Sequence, residues 1–218
     1  MVKFSNDVDI LRYEPGLFGE LHLSSQVLIS GSDGILNSGT LSASGADFVS
    51  SQVETGQVIY LSSSDGVLDG AYEIVSVDSA TTVSVSVLRA NGDDEEVVPA
   101  DSSVVSYRVC TYGPQAAEVG FELTEYFGIG PGNPSSDIDA DDILDASVLR
   151  RASVYGVLAN VYATLGSKAE DENFWKKSLY YQRLFEKARE RCRLSIDSDG
   201  DGVAEVTKVG WSLKMVRD

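Results

Sequence analysis

The chain has 218 residues and a formal net charge of −17, with 34 Asp and Glu against 17 Lys and Arg. This length allows one large domain or two small ones, with enough chain to bury a hydrophobic core. A chain this acidic is not expected to bind nucleic acid directly, because phosphate contacts require a basic face. No run of 18 apolar residues is present, so neither a transmembrane helix nor a membrane partner is expected.

The charge is unevenly distributed along the chain. Residues 1–136 hold 4 Lys and Arg against 19 Asp and Glu, whereas residues 137–218 hold 13 against 15. One interpretation is that the acidic front portion keeps the protein soluble and monomeric. The other is that this portion repels nucleic acid that passes close by without binding. The cations of the last helix, from Lys176 to Arg193, are expected to meet an acidic protein surface.

The first ten residues lack the apolar core of a signal peptide. Cys110 and Cys192 lie far apart in the sequence and are interpreted as two buried free thiols, without a disulfide or a metal between them. Such thiols are typical of a reducing compartment, so we expect the protein to assemble in the cytoplasm.

Residues 1–26 form an N-terminal segment with a short helix at Pro15, which we expect to pack with the helical domain. From 27 to 112, six short runs rich in β-favouring residues alternate with turns of Gly, Asp, Asn and Ser. The Ser-Val alternation at 84–87 has the period of two that is typical of a half-buried strand. Residues 27–112 therefore predict a small antiparallel β-barrel or sandwich domain.

Residues 113–196 predict a helical domain. A short helix ends at the Gly- and Pro-rich stretch 128–134, and a long antiparallel helix pair follows from Asp137 to Arg193. Ser136 and Asp139 resemble the start of a capping box for the first long helix. Apolar residues at helical spacing predict the seam between the two long helices. These residues are Leu144, Val148, Tyr155, Leu158, Tyr162, Phe174, Tyr181 and Phe185.

Residues 197–218 predict an extended C-terminal arm with no internal partner that the sequence identifies. Its opening, Asp197 to Glu205, matches the first half of a calcium loop, but position twelve holds Lys208 in place of a bidentate Glu. We interpret this opening as a tight acidic turn that holds no metal, and a weak, partial Ca²⁺ site is the alternative. The end of the arm alternates like a strand and could join a partner sheet. Its candidate docking residues are Trp211, Leu213, Lys214, Met215, Val216 and Arg217.

The sequence offers little that predicts catalysis. Its single histidine, His22, lies between two leucines and is interpreted as structural. No phosphate-binding loop, nucleophile elbow or HExxH motif is present. We therefore expect no enzymatic activity, no catalytic residue and no cofactor.

The helical hairpin sequences DIDADDILDA, LANVYATLG and DENFWKKSLYYQRLFEKA, followed by DSDGDGVAE and SLKMVR, resemble the head–tail adaptor proteins of tailed bacteriophages. The stretch AYEIVSVDSATTVSV is also similar to β-barrel insertions of such neck proteins. The resemblance implies a virion structural protein that forms a ring, usually of twelve copies, beneath the portal. It further implies a stopper or tail-completion protein as a second partner, and DNA that passes through without specific binding.

The expected fold class is thus α+β, with an antiparallel β-domain before a helical domain and a C-terminal arm. The expected function is that of a neck adaptor that joins portal and tail. Two alternatives stay open. In the first alternative, the β-domain is a binding module for a carbohydrate or a protein, with or without Ca²⁺. In the second, the chain is another neck or tail-completion component.

Overall fold

The computed structural model describes residues 2–169 and 172–210 and shows a mixed α and β protein with a closed antiparallel barrel. The chain separates into two compact units. One unit is Asn6–Tyr112, and the other unites the described parts of Met1–Ser5 and Gly113–Asp218. The expected β-domain spans 27–112, whereas this first unit begins at Asn6 and ends at Tyr112.

Six strands close the barrel of the unit Asn6–Tyr112. The sequence predicted either a barrel or a sandwich for this region, and the structure shows the barrel. The strands pair antiparallel in the order β1-β2-β5-β4-β3-β6, and β6 returns to β1. The strands are β1 Val27–Asn37, β2 Thr40–Ala43, β3 Val58–Ser63, β4 Asp69–Ser79, β5 Thr82–Ser86 and β6 Ser102–Cys110.

Alternation along the strands fills the barrel interior. Val83 and Val85 of β5 are fully buried, and they belong to one cluster with inward-facing residues of the other strands, such as Leu61 and Val109. A Cβ at Gly34 would lie 2.8 Å from the carbonyl oxygen of Val105, so this glycine permits the close approach of β1 and β6. The interior is therefore a packed core.

The N-terminal segment belongs largely to the barrel unit, which differs from the expectation that it packs with the helical domain. Helix α1, Asp7–Leu11, begins at an Asn6 capping box and is buried throughout. The Asp7 carboxylate accepts a 2.7 Å hydrogen bond from the Tyr112 amide, and Val8 N–H donates to the Gly56 carbonyl oxygen. These long-range bonds, which no local pattern predicts, attach the segment to the barrel unit.

The second unit contains three helices and a two-stranded sheet. The helices are α2 Gly113–Phe127, α3 Arg150–Ala169 and α4 Glu172–Arg191, and the strands are β7 Arg193–Ile196 and β8 Val206–Val209. No helix in the described parts of the chain is long and apolar enough to span a membrane.

Helix α3 is the central helix of this unit. Leu158 and Tyr162 on one side are fully buried, and so are Val157 and Val161 on the other. A Cβ at Gly156 would lie 2.7 Å from Val119 Cγ1 of α2, so α2 packs closely against the side of α3 that carries this glycine. Helical spacing predicted one apolar stripe on α3, whereas the structure buries more than one face of this helix.

The first long helix begins at Arg150 and not at Asp137. Residues 140–142 and 146–149 form short 3-10 turns, and the capping box consists of Asp139 with Asp142. The Leu144 amide donates to the Ser195 carbonyl oxygen, and Asp145 accepts from the Ser195 amide at 2.9 Å. This stretch therefore satisfies backbone groups of β7, which prevents it from continuing the helix.

Candidate assembly surfaces of the helical unit

Six of the eight residues expected in the seam lie on α3 and α4. Tyr162 stacks on Phe174 and Tyr181 at ring centroid distances of 6.0 and 5.9 Å, and Tyr155 lies 6.1 Å from Tyr181. Leu158 and Phe185 are also buried. Because residues early in α3 meet residues late in α4, the two helices run in opposite directions.

The remaining two predicted seam residues, Leu144 and Val148, lie outside the helix pair. Their side chains are 49% and 38% exposed, because both residues precede α3. A hydrogen bond within the seam was not predicted: the buried Ser178 hydroxyl donates to the Ala159 carbonyl oxygen at 2.9 Å. A serine in an apolar stripe is the only sequence signal for this bond.

Part of the predicted arm has internal partners, contrary to the expectation. Strand β8 pairs with β7, with Arg193 opposite Val209 and Ile196 opposite Val206. Lys208 Nζ donates to the Gly128 carbonyl oxygen at 3.0 Å. The chain is thus integrated into the helical unit as far as residue 210. The predicted docking residues Trp211, Leu213, Lys214, Met215, Val216 and Arg217 lie outside the described residues.

The loop between β7 and β8 brings its four acidic side chains together. Carboxylate oxygens of Asp197, Asp199, Asp201 and Glu205 all lie within 4.8 Å of one another. Gly202 supplies the positive φ, +86°, that the sharp turn requires. Such a set of oxygens has the chemistry that Ca²⁺ prefers, and these four residues are the ones that could hold it.

The same carboxylates also serve the loop itself. Asp197 accepts hydrogen bonds of 2.7 Å from the amides of Gly200 and Gly202, and Glu205 accepts from the Ser198 amide at 2.8 Å. The bond from Gly202 is the largest cause that lowers the pKa of Asp197 below its ordinary value of 3.8. The loop is therefore built as an acidic turn, with Lys208 at the twelfth position of the calcium-loop pattern.

A cationic groove lies where α3 begins and α4 ends. It has a volume of about 740 Å³ and is lined by five cations and one carboxylate, Asp145. Asp145 is already hydrogen-bonded to the amide and the hydroxyl of Ser195. The five cations have exposed side chains, and they are Arg150, Arg151, Lys187, Arg191 and Arg193. The groove is a local positive site in a protein of net charge −17.

Three large apolar side chains of α4 are exposed, and one of them, Trp175, also lies against α3, because a Cβ at Gly166 would be 3.2 Å from its ring. Trp175 and Leu179, one helical turn apart, are 46% and 52% exposed, and Tyr180 is 57% exposed. Tyr181 and Phe185 of the same helix are buried. Isolated exposed apolar residues are ordinary, but a Trp and a Leu on one face form a surface suited to a partner.

The two cysteines and the histidine, which are the residues most suited to nucleophilic or acid–base chemistry, are buried or hydrogen-bonded within the fold. Burial raises the pKa of the Cys110 thiol to about 12, so this thiol is protonated at neutral pH. Burial also raises the pKa of Cys192. Both cysteines are buried and free, as the sequence predicted. His22 Nδ1 lies 2.8 Å from the carbonyl oxygen of Gly19, within its own turn.

Comparison with protein family models, with curated proteins and with solved structures finds no match to this chain. The basic stretch from Lys176 to Arg193 is evident in the sequence, but the groove is not. Arg150 and Arg151 come from another helix, and only the fold brings them to the end of α4.

Proposed function

We propose that this chain is a non-enzymatic structural protein of a virion neck, a head–tail adaptor that joins the portal to the stopper or tail. The observation that carries the proposal is the exposed apolar surface of α4, to which Trp175, Leu179 and Tyr180 contribute. Aromatic side chains of this size are enriched where protein interfaces are fully buried, so such a face favours a protein that works inside an assembly. The resemblance of the hairpin sequences to adaptor proteins supports the same role.

The distribution of charge suits a ring around DNA. The unit Asn6–Tyr112 holds 16 Asp and Glu against 3 Lys and Arg. Acidic walls repel the phosphate backbone, so DNA would pass through the ring without specific binding. The proposed ring contains twelve copies of the chain. Each copy contributes a helical unit built on the antiparallel pair α3 and α4, and it docks on the portal through an arm of residues 211–218.

Reconstitution with the portal protein of the same virus tests this function. The purified chain should attach to portal rings in sedimentation and form an added ring in electron micrographs. A truncation that lacks 211–218 should not attach, because the proposed docking strand is gone. The control variant Glu95→Gln with Glu96→Gln, in an exposed loop of the barrel unit, should attach normally.

Three other outcomes are informative. A full-length chain that does not attach to portal rings contradicts the proposal. Attachment to tail components without attachment to the portal assigns the chain to another neck or tail-completion role. Equal attachment of the truncated chain contradicts the docking arm, and the portal contact must then be sought on α4.

A further inference from the structure

We infer that the cationic groove binds an acidic surface of a second copy of this chain and so forms the contact between neighbours in the ring. The inference deepens the proposed function and rests on it. Two surfaces of the same unit carry the argument, and the first is the groove. Arg151 and Lys187 have exposed side chains and no ion pair or side-chain hydrogen bond to any described residue.

The second surface is an acidic ridge, formed by residues 139–142 and 197–205. The two segments are adjacent, because the Asp197 amide donates a 2.9 Å hydrogen bond to the Asp142 carbonyl oxygen. Together they hold seven carboxylates and no Lys or Arg. Most of these side chains are exposed, including Asp199, Asp201 and Glu205. The ridge therefore offers a dense negative surface to a partner.

Arg193 of the groove and Asp197 of the ridge lie at opposite ends of strand β7. Arg193 begins the strand and Asp197 follows its last residue. At about 3.3 Å per residue, four steps of strand separate their Cα atoms by roughly 13 Å. This exceeds the Debye length of about 8 Å at physiological ionic strength. Arg151 and Lys187 of the groove form no ion pair with the ridge, so their charges can attract another molecule.

A second copy is the occupant that the charges favour. Nucleic acid is disfavoured as a partner by the net charge of −17. A second copy presents the ridge, whose seven carboxylates complement the five cations of the groove. Because groove and ridge are different surfaces, the contact between two copies is heterologous. A pair of copies therefore still has one free groove and one free ridge, and further copies add until a ring closes.

Charge reversal tests the contact. The groove variant is Arg151→Glu with Lys187→Glu, and the ridge variant is Asp199→Lys with Asp201→Lys. Sedimentation equilibrium at submillimolar concentration, near physiological salt and with a chelator, should show self-association of the wild type. Each variant alone should weaken the association by at least about tenfold, because like charges then face each other.

Mixing the two variants makes the test specific. The acidic ridge of the groove variant meets the basic groove of the ridge variant, and the reversed pair also attracts, so an equimolar mixture should associate again. The control variant Lys176→Glu with Arg183→Glu changes exposed cations of α4 outside the groove and should associate like the wild type. Thermal melting establishes that each variant is folded.

Several results would overturn the inference. These are a wild type that stays monomeric, single variants that associate as the wild type does, and folded variants whose mixture does not associate. Binding of a duplex oligonucleotide that the groove variant loses, with no self-association, would assign the groove to phosphates. Self-association without portal attachment contradicts only the adaptor function, and portal attachment without self-association contradicts only the groove contact.

Discussion

The amide of Asp197 donates a 2.9 Å hydrogen bond to the carbonyl oxygen of Asp142, which joins two acidic segments that are distant in sequence. Next to this bond, Ile143 forms an isolated antiparallel bridge with Ile196. The backbone, and not an ion pair, therefore holds the acidic ridge together. Six of its seven carboxylates also accept hydrogen bonds from amides of the ridge, and the first two predictions concern these side chains.

Asp197→Asn should lower the melting temperature at neutral pH. The difference in melting temperature from the wild type should become smaller at acidic pH. The two glycine amides favour the ionised carboxylate and so hold the pKa of Asp197 below 3.8. Ionised Asp197 therefore stabilises the fold above that pH, and the contribution is lost as the pH falls through the lower folded-state pKa. Melting curves from pH 7 to pH 3 check this. A difference that stays constant over that range would show that ionisation is not its cause.

Asp199→Asn with Asp201→Asn should raise the melting temperature when a chelator is present. The four loop carboxylates lie within 4.8 Å, and their repulsion falls when two are neutralised, while each Asn keeps its hydrogen-bond acceptor. Melting curves with a chelator and with Ca²⁺ provide the measurement. If Ca²⁺ binds the loop, it should stabilise the wild type and not the variant. An equal response of both would exclude the loop as the site of any Ca²⁺ effect.

Leu158→Asp should unfold the helical unit or leave it poorly packed. Leu158 is fully buried, and an unpaired carboxylate at this position costs on the order of several kcal/mol. The matched control is Leu179→Asp on α4, whose side chain is 52% exposed and whose substitution should change the melting temperature little. Similar melting of the two variants would contradict the assignment of Leu158 to the core.

Gly156→Ala should destabilise the protein although alanine favours helices. The added Cβ would lie 2.7 Å from Val119 Cγ1, and Val119 is fully buried and cannot easily move. Overpacking of this kind costs about 1–3 kcal/mol, against a helix-propensity gain of about 1 kcal/mol. Denaturant unfolding measures the balance. An unchanged or higher free energy of unfolding would mean that α2 is not closely packed on α3 at this position.

Two truncations should differ in stability. Removal of 207–218 takes most of β8 away from β7 and should lower the melting temperature. Removal of 211–218 leaves β8 complete, so the melting temperature should stay near that of the full chain while portal attachment is lost. Thermal melting of both proteins, side by side, makes the comparison. Equal melting temperatures would show that the pairing of β7 with β8 adds little stability.

The sequence by itself determined the elements whose signals are local. Alternation such as that at Val83 and Val85 predicts a strand, and six such runs with short turns predicted an antiparallel barrel or sandwich, of which the structure shows the barrel. The seam of α3 and α4 followed from helical spacing for Tyr155 to Phe185. These patterns suffice because side-chain direction repeats every two residues in a strand and about every 3.6 in a helix.

Only the tertiary structure decided where α3 begins, what β8 pairs with and where the cationic groove lies. Leu144 has helical spacing with the seam, yet its amide pairs with Ser195, and Asp145 accepts from the same residue 50 positions away. The groove likewise combines Arg151 of α3 with Arg191 of α4. Hydrogen bonds and charges between distant segments compete with local helix propensity, and no local pattern records which of them prevails.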